Sequence, residues 1–183
     1  MRIAKSLFVI VAVIALAAGA TSAVFTSQAK VEGNTFATGA LEIRINGSSS
    51  IPGFDFCNAA PGDCEDGQFT VNNYGAPFFG GPSTLPAKTL TIKAIMTGGD
   101  VHLWNKLQIT VEANRGWPTW MPVYSGPIDQ MYIARDLLSP RWTELPAGWS
   151  EDVRYNVCLP ADANNSYMGE SVTFDFVVDA ASS

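Results

Sequence analysis

Residues 171–179 read SVTFDFVVD. Val172, Phe174, Phe176 and Val178 fall on one side of an extended chain, and Thr173, Asp175, Val177 and Asp179 on the other. Side chains of a strand point alternately to opposite faces, so a period of two marks a strand with one face in a core. The pattern recurs upstream. Val153, Tyr155, Val157 and Leu159 alternate with Arg154, Asn156 and Cys158, and Leu107, Ile109 and Val111 with Gln108, Thr110 and Glu112. Leu90, Ile92, Ala94 and Met96 share a face of TLTIKAIM, Phe69 and Val71 point inward from QFTVNN, and Leu41, Ile43 and Ile45 point inward opposite Glu42, Arg44 and Asn46. A shorter alternation sets Phe25, Ser27, Ala29 and Val31 against Thr26, Gln28 and Lys30. Gly- and Pro-rich turns separate these runs. Seven or eight short strands so spaced predict an all-β sandwich.

Two stretches break the rhythm. Residues 57–67 read as an acidic loop. Residues 113–150 hold Trp117, Trp120, Trp142 and Trp149 among five prolines, and look like an insertion between strands. Its one expected helix covers 128–138, where Ile128, Met131, Tyr132 and Leu138 can share a face. The tryptophans suit either a secondary core or a platform for stacking on sugar.

The 183 residues carry a formal charge of −6, with 15% charged and 47% hydrophobic residues. No Lys/Arg cluster is present, so nucleic acid is excluded as a partner. Residues 1–23 have the three parts of a secretory signal: basic Arg2 and Lys5, the apolar run Leu7 to Ala18, then small residues. The run is shorter than the roughly 20 residues of a membrane span. Cuts after Ala20 and after Ala23 both fit.

Groups for catalysis are missing. A single histidine, His102, excludes an HExxH zinc site, and there is no GxSxG elbow, GxGxxG turn or phosphate-binding loop. Asp63, Glu65 and Asp66 stand close together, but their spacing matches no EF-hand loop, so a solvated acidic turn is expected. No enzymatic activity, cofactor or metal is expected. Cys57 and Cys64 can close the small loop CNAAPGDC in an exported protein, leaving Cys158 single; the competing pairing joins Cys158 to one of them. Asn46 and Asn164 begin Asn-x-Ser sequons in loops, available where the source has the machinery to glycosylate them.

Residues 19–45, GATSAVFTSQAKVEGNTFATGALEIRI, resemble the N-terminal region of the TasA/camelysin group of secreted proteins. The closest likeness is Asn34 to Ile43, NTFATGALEI. Pro61-Gly62-Asp63 ahead of QFTVNN is a looser match, and ESVTFDFVVDA resembles the group's last strand. The Trp/Pro-rich middle and the cysteines depart from it. The resemblance implies a jelly-roll sandwich whose subunits polymerise head to tail into an extracellular filament, a biofilm matrix fibre or bundling pilus, after signal peptidase acts. It divides the chain into a signal peptide (1–23), a donor strand and hinge (24–33) and a sandwich domain (34–183). It assigns Val24, Phe25, Ser27, Ala29 and Val31 to the contact with the next copy. The peptidase activity attached to camelysin is not carried over, because the zinc ligands are missing. The alternative is a monomeric secreted or cell-surface sandwich, adhesive or carbohydrate-binding, in which the N-terminal strand pairs within its own chain.

Overall fold

The computed structural model describes residues 26–28, 40–48, 54–57, 60–75, 81, 83–116, 118–138 and 142–182. Ten strands appear among them: β1 (Thr26–Gln28), β2 (Ile43–Ile45), β3 (Phe54–Cys57), β4 (Cys64–Asn73), β5 (Thr89–Gly99), β6 (Gln108–Asn114), β7 (Met121–Pro127), β8 (Arg135–Asp136), β9 (Ser150–Cys158) and β10 (Ser171–Ala181). A one-turn helix α1 (Val101–Trp104) follows β5.

All named pairings are antiparallel and form two sheets. In one sheet β10 lies between β5 and a pair of short strands, β1 and β3, with β8 beyond β5; the other runs β2-β4-β9-β6-β7. From β3 onward the chain changes sheet at every connection except β6 to β7. The eight strands β3 to β10 therefore form a jelly roll, with β1 and β2 as extra edge strands.

The alternation read in 171–179 holds. Val172, Phe174, Phe176, Val178 and Ala180 are buried. Val177, on the outward face opposite Lys93, is buried as well. The inward side chains of the two sheets meet in one core. At its centre Phe54 stands 4.9 Å from Tyr155, 5.1 Å from Phe176 and 5.7 Å from Phe174, ring centre to ring centre. Each such aromatic pair contributes about 0.5–1.5 kcal/mol beyond its buried area. Tyr155 lies flat over Gly67 of β4, where a Cβ would sit 2.2 Å from its ring. Burial, with Glu65 nearby, pushes the Tyr155 phenol up to about 12.

Several expectations are corrected. Of the expected loop 57–67, Cys57 ends a strand begun at Phe54 and residues 64–67 open another. The segment 113–150 is no surface insertion: β7 edges one sheet and β8 the other, and Ile128, Met131, Leu137, Leu138 and Leu145 are buried in the core. In place of a helix over 128–138 there is a 3-10 turn, Ile128–Tyr132, followed by β8. Ile128 and Met131 point inward as expected, but Tyr132 is exposed.

The small disulfide loop is also corrected. Cys64 bonds to Cys158, and Cys57 is free and exposed. The reason is topological. Cys57 ends β3 in one sheet, facing outward opposite Ser171, whereas Cys64 opens β4 in the other, directly across from Cys158 with 4.0 Å between Cα atoms.

Two outcomes follow. Gly67→Val, by forcing a side chain into the Tyr155 ring, lowers stability by about 1–3 kcal/mol in urea titration. Peptide mapping by mass spectrometry finds the 64–158 crosslink. Cys158→Ser then costs up to about 4–5 kcal/mol for a loop of this length, while Cys57→Ser leaves the denaturation midpoint unchanged.

Candidate functional site

The outer edge of β10 is where the N-terminal segment meets the sandwich. Along its other edge β10 is paired with β5 from Val172 to Ala181, through one bulge at Thr173/Phe174. Gly99 stands beside that bulge with φ +96°, and a Cβ there would lie 2.1 Å from the Ser171 carbonyl oxygen. On the outer edge β3 covers 171–174, held also by a 2.7 Å bond from the Thr173 hydroxyl to Asp55. β1 covers the far end, with Thr26 opposite Ala181, Ser27 opposite Ala180 and Gln28 opposite Asp179. No pairing with another described strand falls on Phe176, Val177 or Val178 along this edge. Three residues of ladder are a slight attachment, since a backbone hydrogen bond contributes a net ~0.5–1.5 kcal/mol.

Of the five residues expected to contact a neighbouring copy, Ser27 is placed by its backbone in β1. Val24, Phe25, Ala29 and Val31 lie outside the described residues, as do residues 1–23. Asn46 and Asn164 are both exposed. Asn46 takes a left-handed turn with φ 51°, and its side-chain oxygen accepts the Thr70 N–H at 2.8 Å. Asn164 caps the 3-10 turn Asn165–Tyr167 by accepting the Ser166 N–H.

The acidic turn does not gather its carboxylates. Asp63 accepts the Ala60 N–H at 2.8 Å, and Asp66 faces Asn156 across the β4–β9 pair. Among the described residues no group of three His, Cys, Asp or Glu is placed to hold a metal. His102 sits exposed on α1, whose N-terminus is capped by Asp100.

A second feature is the outward face of β4, β9 and β6, which the linear sequence does not reveal because its residues come from distant strands. Register sets Asp66, Asn156 and Thr110 in one row, Gln68, Arg154 and Glu112 in the next, and Thr70, Asp152 and Asn114 in a third. The rows are tied by side-chain bonds, Arg154 to Glu112 at 2.6 Å and Thr70 to Asp152 at 2.7 Å. Trp120 stacks beneath the Arg154 guanidinium, 4.5 Å from ring centre to carbon. Two open depressions lie along this face, about 490 Å³ over the first two rows and about 410 Å³ at the end bordered by Trp149.

Beneath the second depression is a buried ion pair. Arg115 Nε donates to Glu151 at 2.7 Å, and the two side chains are 6% and 3% exposed. Arg115 Nη1 donates to the Glu144 carbonyl at 2.8 Å, Trp142 packs against the guanidinium, and Nη2 has no partner among the described residues. Burial raises the Glu151 pKa above the ordinary carboxylate value, and Arg115 opposes that shift. Of the four tryptophans in 113–150, Trp142 thus packs inward, Trp120 and Trp149 border the polar face, and Trp117 lies outside the described residues. No family model, curated protein or solved structure matches this chain.

The ion pair makes a pH signature. With its folded pKa raised, Glu151 keeps its proton in the native state over a window where the unfolded chain has released it, so stability falls as pH rises through that window. Urea midpoints of the parent protein, compared with Glu151→Gln across pH 4 to 8, show the parent losing ground to the variant as pH rises. Arg115→Met strands the carboxylate and costs about 3–5 kcal/mol at neutral pH, with partial recovery on acidification.

Proposed function

We propose that this protein is a structural subunit of an extracellular filament, joined head to tail by donation of its N-terminal strand. The observation that supports this reading is the seat of β1, a three-residue strand lying antiparallel on the outer edge of the last strand of a jelly roll. An antiparallel ladder is indifferent to whether its two strands belong to one chain, so the same register on β10 can be filled by residues 24–31 of a neighbour. Donation of that strand head to tail is heterologous and, where it does not close into a ring, propagates a filament. The likeness of residues 19–45 to the TasA/camelysin group supports the same reading, as does the export signal ahead of the strand. In this reading removal of the leader frees the strand, and the partners are further copies of the same chain at the cell surface or beyond it.

A second reading is favoured by one specific fact: the β1–β10 pairing is made here within one chain. A self-complemented sandwich would be a monomer, with its N-terminal strand as a latch.

Negative-stain electron microscopy of the secreted protein beside a form lacking residues 24–32 separates the two. Fibres are expected from the first and none from the second. A synthetic 24–32 peptide in excess should shorten the fibres by occupying the acceptor edge. Fibres from the truncated form, or one monomeric sedimenting species at all concentrations of the intact protein, would sink the filament reading.

A further inference from the structure

The outward face of β9 and β6 has no part in the proposed strand donation. We propose that it binds a neutral saccharide chain lengthwise, with Trp149 as the platform for one sugar ring.

The two depressions adjoin along one face. Glu112 and Arg154 line the first, Asn114 and Asp152 the second, and these pairs are cross-strand partners on adjacent outward rows of the same two strands. Outward residues repeat about every 7 Å along a strand, so the rows from Thr110 to Asn114 extend about 13 Å, and Gly116 and Trp149 carry the trough further. That length suits an extended chain of several sugar units, not a single small molecule.

The chemistry of the second depression narrows the ligand. Trp149 is 47% exposed, and an indole at a wet surface offers a broad apolar face. The C–H face of a pyranose ring stacks on such a surface, leaving its hydroxyls to polar neighbours. Those neighbours are the amide of Asn114, the hydroxyl of Ser150 and the carboxylate of Asp152. Arg115 also lines this depression, with its guanidinium buried against Glu151 and Trp142. Small-molecule sites commonly combine an aromatic lining with a few placed polar groups in this way.

Charge excludes the competing classes. Along the trough Asp66, Glu112 and Asp152 stand against Arg154, and the buried Arg115 is already neutralised by Glu151. A polyanion such as nucleic acid or an acidic polysaccharide would meet net negative charge. A peptide would need apolar side-chain pockets or an open sheet edge, and the trough is a polar face whose strands are paired on both sides.

The site is independent of the filament reading, because binding is read by calorimetry whether the protein is polymeric or not. The test titrates the secreted protein with laminarihexaose, xylohexaose, mannohexaose and isomaltohexaose, with hexagalacturonate as the acidic control. Saturable binding of at least one neutral hexasaccharide, insensitive to added salt, is expected. Trp149→Ala and, separately, Arg154→Ala should each weaken it roughly tenfold or more, with the thermal midpoint unchanged. Arg154→Ala, at a side chain 45% exposed, keeps the test decisive if the tryptophan variant proves unstable. No binding to any neutral probe, binding only to hexagalacturonate with loss in salt, or undiminished binding by both variants would overturn the proposal.

Discussion

The fold depends on the pairing of β10 with β5. Ten residues of β10 pair with β5; its inward Phe174 and Phe176 pack beside Phe54 of the same sheet, and Phe176 reaches across the sandwich to Phe69 and Tyr155. The two strands join parts of the chain more than seventy residues apart, so little local structure can form the ladder in advance. Chains dominated by such non-local pairings fold slowly, since loop closure must precede any reward from contact. Once β10 is in place, it supplies both the aromatic centre and the edge on which β3 and β1 lie.

The edges of the two sheets are guarded unequally. β7 carries Pro122 and Pro127, which cannot donate to a further strand, and β2 and β8 are three and two residues long. Short and proline-bearing edges are the usual means of preventing adventitious pairing. β10 and β5 are each eleven residues long; the outer side of β10 is covered by β1 and β3, and that of β5 by the two-residue β8 alone.

What was legible in the sequence was whatever alternated strictly. β5, β6, β9 and β10 each bury one face and wet the other, so their period shows without any knowledge of their neighbours. β3 was hidden because four residues, FDFC, are too few to show a period. The first half of β4 was hidden because Cys64 to Asp66 are exposed at the end of their sheet, so no apolar face marks them. In β7 the bulge opposite Val111/Glu112 shifts the register and the prolines imitate a loop. The disulfide followed from register, not spacing: Cys64 and Cys158 are ninety-four positions apart yet exactly opposed only once β4 and β9 pair. The polar trough was illegible for the same reason, since Asp66, Asn156 and Thr110 become neighbours only in the sheet. Trp149 was visible as a residue, but its exposure beside Asn114 and Arg115 was not.

The crosslink also limits how the chain can lengthen under load. Cys64 and Cys158 enclose β4 through β9, so a pull applied at the two ends reaches this loop at the bond and passes through it. The 94-residue span would otherwise release roughly 300 Å of contour as it unravelled. With the bond intact, only the flanks can be drawn out: β1 to β3 on one side and β10 on the other. The bond therefore divides the protein into a central part of fixed length and two flanks that can be drawn out, and breaking that one covalent bond would add the length of the loop.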